Sequence, residues 1–272
     1  MEEIKEADYY SRTDYISASM VITYLKSPSL YRKMYNDKTV VKEETPAMTL
    51  GKMIDSILTE PVGEFERRYC KKVLKSEDPV EYERQKNNPS ICVVSEGTYN
   101  KALNIAAAVA RTSAYKWIIE HNAISQVILT GIIDGIKVRG KLDWLVIEDD
   151  RIVILDLKST QSILAIKYFY HASDLRYFLS MAMYKALVEQ NYPGKKVVCK
   201  HLVVTSDQEA PQVSAFVLNN ERIESELETI KNCLHSIVVE KNFEDRDVSW
   251  QDEVEIGKFK EGEEKVFELI DL

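Results

Sequence analysis

The chain has 272 residues, 45% of them apolar and 29% charged, with a net charge of −8, the composition of an ordinary globular protein long enough to bury a substantial core. That balance speaks against a protein that coats nucleic acid non-specifically, though not against one that holds DNA in a local basic groove. No apolar run reaches the roughly 18 residues that cross a bilayer, MEEIKEADYY is too acidic for a secretory signal, and Cys70, Cys92, Cys199 and Cys233 form no CxxC pair, so reduced, mostly buried thiols in a cytoplasmic protein are expected.

Taken in chain order, residues 14–36 (DYISASMVITYLKSPSLYRKMYN) read as two short helices broken at Ser27-Pro28, with Ser17 or Ser19 as the first cap. After a charged connector, AMTLGKMIDSILTEP places apolar residues at 50, 53, 54, 57 and 58, a helical spacing that Pro61 ends. Residues 62–94 carry the breakers Asp78-Pro79 and Asn87-Asn88-Pro89 and stay open between a disordered loop and a short hairpin. Ser95 starts a long helix with a bend near Thr112-Ser113. From 124 the pattern turns to strands in AISQVILTG, DGIKVRGKLDWLVIE and RIVILDLKS. Helices over about 161–171 and 174–190, the strands KVVCKHLVVTS and QVSAFVLN, and a helix over 219–240 begun by Asn219 or Asn220 complete the order. The expectation is an α/β fold with a mixed central sheet flanked by helices. It forms one domain over 1–240: a helical N-terminal layer (about 14–120), a sheet (about 124–218) and a closing helix (about 219–240). Residues 241–272 read as a charged tail or peripheral helix.

The chemistry is carried by RGKLDWLVIEDDRIVILDLKST. A two-residue turn at Asp149-Asp150 makes this a hairpin, in which residues face each other when their numbers sum to 299, as those of Asp143 and Asp156 do. Two carboxylates facing across a strand pair are destabilising unless a shared proton or a cation offsets them. Lys158, two residues on, shares the face of Asp156 and suits the orientation or deprotonation of an attacking water, or the charge developing on a phosphate. Charges in a hairpin are commonly no more than a solvated face, but Asp156 sits inside the apolar run IVILDLK, where a charge needs a partner. The same register sets Lys141 opposite Lys158, which requires a bend or bulge, or a Lys141 turned towards a phosphate.

The D…(D/E)xK hairpin resembles the PD-(D/E)xK nucleases, whose fold is the restriction-endonuclease-like α/β sheet. More narrowly, the chain is similar to the RecE-type exonucleases (exonuclease VIII) over about residues 15–235, through ISASMVITYLKSPSLYRKMY, LGKMIDSILTEP, KVRGKLDWL, ILDLKST and RYFLSMAMYKA in that order. The resemblance implies Asp143, Asp156 and the Leu157 carbonyl as ligands of Mg²⁺ or Mn²⁺, Lys158 as the catalytic lysine, Ser159 and Thr160 near DNA phosphate, and Tyr184 as the aromatic residue of the late helix. Three positions depart from the family pattern. Asp55 stands in place of a histidine and remains a candidate ligand, Ser125 or Gln126 falls where a glutamate is usual, and Ser180 replaces a glutamine. The implied activity is 5′→3′ resection of double-stranded DNA ends for recombination by a homo-oligomeric ring working with a single-strand annealing protein, as in phage and prophage systems. The alternatives are an endonuclease or single-strand nuclease of the same fold, and a DNA-binding or assembly protein whose catalytic centre has decayed.

Other residues point less sharply. Arg139, Lys141, Lys167, Arg176 and Lys185 are candidates to line a DNA groove, and Tyr10, Tyr15, Tyr24, Tyr31 and Tyr35 to stack on bases, with core packing expected for most of these tyrosines. His121, His171, His201 and His235 show no metal-ligand spacing, and no GxGxxG, P-loop or GxSxG motif occurs.

Overall fold

The computed structural model describes residues 8–9, 11–41, 43–206 and 209–245. Tyr10 and the part of the expected tail from 246 to 272 lie outside them. A two-residue strand, β1 (Ile16–Ser17), leads into α1 (Ala18–Lys26) and α2 (Pro28–Tyr31), the latter continued by a π-helical turn at Arg32–Asn36. Then come α3 (Pro46–Thr59), α4 (Glu64–Arg68), β2 (Tyr69–Lys71), α5 (Pro79–Asn87), β3 (Cys92–Val94), α6 (Glu96–Ala110) and α7 (Ser113–Glu120). The sheet follows with β4 (Ile124–Ile133), β5 (Ile136–Ile147) and β6 (Arg151–Thr160). Last are α8 (Ala165–Asp174), α9 (Tyr177–Asn191), β7 (Lys196–Thr205), β8 (Val213–Val217), α10 (Asn220–His235) and a π-helical turn at Ser236–Glu240.

Local chemistry sets these boundaries. Thr45, Asp78, Ser95, Thr112 and Asn219 each cap a helix with a side-chain oxygen that accepts a backbone N–H, the role for which short polar residues are favoured. Asp134 and Gly135, both at positive φ (47° and 78°), turn β4 into β5, as the two-residue hairpin loop demands. Ser17 stands at the cap position of α1 but bonds Ser19 through its hydroxyl at 2.9 Å.

The main sheet is mixed, in the order β1-β5-β6-β7-β8 with β4 on the other edge of β5. The β1–β5 and β6–β7 pairs are parallel and the remaining pairs antiparallel. One face packs on α1, α8, α9 and α10 through Leu145, Ile152, Ile154, Leu179, Met183 and Ile230. The other packs on α3 and α6 through Trp144, Val146, Val153, Met53, Ile54 and Ile105. Each such fully buried aliphatic side chain contributes about 1.5–3 kcal/mol. Helix α9 can lie this close because Gly131 and Gly140 face it: a Cβ would come within 2.8 Å of Leu187 at Gly131, and within 2.9 Å of Leu187 and Tyr184 at Gly140.

Two expectations are corrected. Residues 62–94 form neither a loop nor a hairpin: β2 and β3 pair in parallel, joined through α5. Their apolar content is too low to show a period, and side-chain bonds such as Gln85 to the Lys71 carbonyl (2.8 Å) tie the crossover down. The segment at 14–36 opens with β1, whose pairing with Val138 and Arg139 is a backbone contact that leaves no pattern in the sequence. Cys70 and Cys92 are half-buried, Cys199 and Cys233 are buried, and all are free thiols. Among the described residues no helix is long and apolar enough to cross a membrane.

Candidate active site

The β5–β6 ladder runs Trp144↔Leu155, Leu145↔Ile154, Val146↔Val153 and Ile147↔Ile152, the register in which numbers sum to 299. It stops one step short of Asp143 and Asp156. There the Asp143 carboxylate accepts the Leu157 N–H at 2.6 Å, taking the place of a backbone carbonyl, so the two aspartates are not the face-to-face ladder pair expected. The rung opposite Asp143 on β4 is missing too: Ser125↔Trp144 and Val127↔Leu142 are paired, with Gln126 between them at φ 53°. A left-handed residue inside a strand re-aims side chains. Val138 and Leu142 face the α9 core, whereas Trp144 and Val146 face the α3–α6 core. The even-numbered residues of β5 therefore change sides at Asp143.

Asp156, buried and on the α8–α9 side of β6, forms an ion pair with the Lys158 ammonium. The Lys158 Nζ also lies 4.9 Å from the centroid of the Tyr177 ring, a cation–π contact. Across the divergent strand ends, α3 presents Asp55, with Gly51 passing beside the Ser159 hydroxyl. Gln126 Nε2 donates to the Asp55 oxygens (3.3 and 3.4 Å) and to the Thr59 hydroxyl, which itself donates to the Asp55 carbonyl at 2.8 Å.

These charges perturb one another. Burial, then the Asp55 and Asp156 carboxylates, push Asp143 well above the ordinary carboxylate range against the pull of Lys158 and the Leu157 N–H. Burial likewise raises Asp55, opposed by Thr59, Lys141 and Gln126. Burial works against the Lys158 ammonium, but Asp156 and Asp143 more than reverse it, so its pKa is raised. Burial drives His201 down to about 4, which keeps its imidazole neutral at physiological pH.

The donor set fits a hard divalent cation: three carboxylates and the Leu157 carbonyl are oxygen ligands of the kind Mg²⁺ and Mn²⁺ take. Asp55 and Asp156 add to burial in raising Asp143, and Lys158 offsets them only in part. Among the described residues, no three His, Cys, Asp or Glu side chains are gathered tightly enough to hold an ion as they stand, so Asp55, Asp143 and Asp156 would have to close on it.

The expected nucleic-acid contacts fare unevenly. Arg139 is buried, donating to the Arg12 carbonyl and lying 4.8 Å over the Tyr9 ring, so it anchors the N-terminal segment and lines no groove. Thr160 is buried with its hydroxyl turned to the Ser162 carbonyl (3.3 Å), which leaves Ser159 as the residue after the lysine that borders the site. Arg176 is 3.8 Å from Glu226. Tyr184 is half-buried against Gly140 and the core. Lys141 lies near enough to Asp55 to lower its pKa. His201, expected to be an ordinary structural or surface histidine, and Tyr177, which the sequence does not single out, stand directly beside Asp156 and Lys158. The only trace in the sequence is their position: His201 on the strand parallel to ILDLK, Tyr177 at the head of the aromatic helix.

A mixed sheet between two helical layers, with a lysine and aspartates at the parting ends of a hairpin, defines the PD-(D/E)xK-like class. Residues 17–247 match the family described as "PDDEXK-like domain of unknown function (DUF3799)", and the chain belongs to it. The fold is also that of a crystal structure from Eubacterium rectale to which an exonuclease function is ascribed, at 19% identity over 86% of each chain and a TM-score of 0.62. A second structure, of SSO0001, is 16% identical over 70% of this chain and 92% of that one, with a TM-score of 0.27 that carries no argument. No curated protein matches the chain.

Proposed function

We propose that this protein is a metal-dependent DNA exonuclease. The observation that carries the reading is the nearness of Asp55, Asp156 and Lys158 to Asp143 where the β5–β6 ladder is abandoned, with burial first and the two neighbouring carboxylates second pushing Asp143 towards its neutral form. Family membership and the exonuclease function ascribed to the Eubacterium rectale protein support it.

Asp143, Asp156, Asp55 and the Leu157 carbonyl would hold Mg²⁺ or Mn²⁺, which supplies Lewis-acid polarisation of the phosphate. Lys158, with its raised pKa, enters as an ammonium: it orients water and stabilises the charge developing on phosphate oxygens, and is poorly suited to accept a proton. The Tyr177 ring lies beside that ammonium and helps to hold its charge. Ser159 and Lys141 border the same space and are assigned to the phosphate backbone. The finer reading is 5′→3′ resection of double-stranded ends by a homo-oligomeric ring, with a single-strand annealing protein as partner. It rests on the likeness to RecE-type exonucleases.

Incubating the purified protein with linear and with closed circular double-stranded DNA, in Mg²⁺ or Mn²⁺, tests this. Linear DNA is expected to be degraded and closed circles spared, with the rate falling at least about 10³-fold in Lys158→Ala and Asp156→Ala. Nicking of closed circles would assign an endonuclease instead. DNA binding without cleavage in either metal would leave a binding or assembly protein.

A further inference from the structure

Behind Asp156 lies a buried pair of groups that the reaction so far does not use. His201 of β7 is the register neighbour of Asp156 across the parallel β6–β7 ladder and is fully buried. Its Nδ1 is 2.7 Å from the Tyr168 hydroxyl on α8. Its Nε2 has no hydrogen-bond partner and lies 3.9 Å from Asp156 Oδ2, the oxygen that Lys158 also engages. The ring is gripped edge-on by Tyr168 and Tyr177, both at 5.9 Å and 87°, and Tyr168 in turn stacks on Phe216 at 5.0 Å.

This arrangement selects a tautomer. An ionised carboxylate only accepts hydrogen bonds, so an Nε2 lone pair aimed at it would set acceptor against acceptor in a dry interior. Placing the proton on Nε2 leaves Nδ1 to accept from the Tyr168 O–H, and every group then has a role. An orphaned donor in such a place is costly, and the gap to Asp156 closes to hydrogen-bond length with a shift of about 1 Å.

We propose that the Tyr168–His201 pair positions Asp156: the Nε2–H takes up Oδ2 when Lys158 turns from the carboxylate to the substrate, fixing the orientation in which Asp156 meets a cation. Oδ2 would otherwise lose its ammonium partner while buried. Metal-ligating carboxylates are characteristically held in this way, and loss of such a partner costs about 10–100-fold in metal affinity. The inference rests on Asp156 being a metal ligand.

The test is Mn²⁺ binding to the full-length protein, followed by titration calorimetry without DNA. Asp156→Ala is expected to abolish binding; if it binds as the parent does, the reading of the site itself fails. With that control in place, His201→Leu is expected to weaken binding about 10–100-fold, while His201→Gln, whose amide N–H can stand at the Nε2 position, stays within about 3-fold. Tyr168→Phe keeps the stack on Phe216, deletes only the hydroxyl that fixes the tautomer, and is expected to lose about 3–10-fold. Parent-like affinity in His201→Leu, or an equal loss in His201→Gln, overturns the positioning role. Where His201→Leu does not fold by circular dichroism, Tyr168→Phe decides alone, and an unchanged affinity there overturns it.

Discussion

The two halves of the β5–β6 hairpin are built from the same pair of strands and do opposite things. Next to the turn, four successive rungs close the ladder, and Leu145, Val146, Ile152 and Ile154 are wholly buried between the two helical layers. Past Trp144 and Leu155 the strands part: β1 takes over the edge of β5 at Val138 and Arg139, Asp143 satisfies the Leu157 N–H with its side chain, and Asp156 and Lys158 turn to each other. Pairing is given up just where charged groups must be aimed at a common point, and the closed half supplies the rigid frame that holds them. Stability and chemistry thus occupy adjacent stretches of one element.

That division can be broken by a matched pair of substitutions. Ile154→Ala, in the closed half, is expected to lower the unfolding free energy by about 2–5 kcal/mol through lost burial and the cavity left behind, as read by urea unfolding. Its DNA degradation per folded molecule should stay near that of the parent. Asp156→Asn, which keeps an oxygen beside the Lys158 ammonium and leaves Asp143 near it, should do the reverse, abolishing degradation while the unfolding midpoint changes little. A loss of specific activity in Ile154→Ala well below its melting temperature would show that the two halves are not separable.

A smaller effect sharpens the comparison within the open half. The pKa of Asp143 is raised in the folded protein, with burial the leading cause. The stability it confers is therefore fully present below the unfolded value of about 3.9 and is lost as pH rises through the folded value. Without metal, the protein at neutral pH carries this cost. Asp143→Asn keeps an oxygen to accept the Leu157 N–H and removes the charge. Its metal-free melting temperature at pH 7.5 is expected to exceed the parent's by about 2–4 °C, an advantage that vanishes near pH 4. Added Mn²⁺ should raise the parent's melting temperature and leave the variant's where it was. A lower melting temperature for Asp143→Asn at pH 7.5 would mean that the carboxylates are not in electrostatic conflict.

The closed half was legible from the sequence because its rules are local. The Asp149-Asp150 turn fixes the register and the order of elements gives a mixed α/β sheet, while the restriction-endonuclease-like form of that sheet comes with the family resemblance. The open half obeys no such rule. Counting by twos places Asp143 opposite Asp156, but the change of sides at Asp143 coincides with a left-handed backbone at Gln126 on the neighbouring strand, and a glutamine announces nothing of the kind. Asp55 was reached through a family pattern, with no local signal of its own. His201 and Tyr168 sit in an apolar strand and an aromatic helix where their neighbours look alike, and only the fold brings them together across 33 positions. Arg139 misled for the converse reason: a basic residue beside a catalytic strand reads as a DNA contact until the chain end that buries it is seen.

The smallest expected effect concerns Gln126, the residue that marks the border between the two halves on β4. Its backbone sits at φ 53°, and its amide donates to both Asp55 oxygens and to Thr59. Gln126→Gly relieves the first feature and removes the second. Glycine adopts positive φ without penalty, so the change in unfolding free energy should stay within about 1 kcal/mol. Asp55 then loses the donor that orients it, and Mn²⁺ affinity should fall by about 3–10-fold. If affinity holds while stability rises, the left-handed turn is all that the position contributes, and Asp55 finds its orientation from Thr59 and α3 alone. If affinity falls as far as in Asp55→Asn, the side chain of Gln126 does as much for the site as the carboxylate it holds, and the break in the β4–β5 ladder is part of the metal-binding apparatus, no longer merely its boundary.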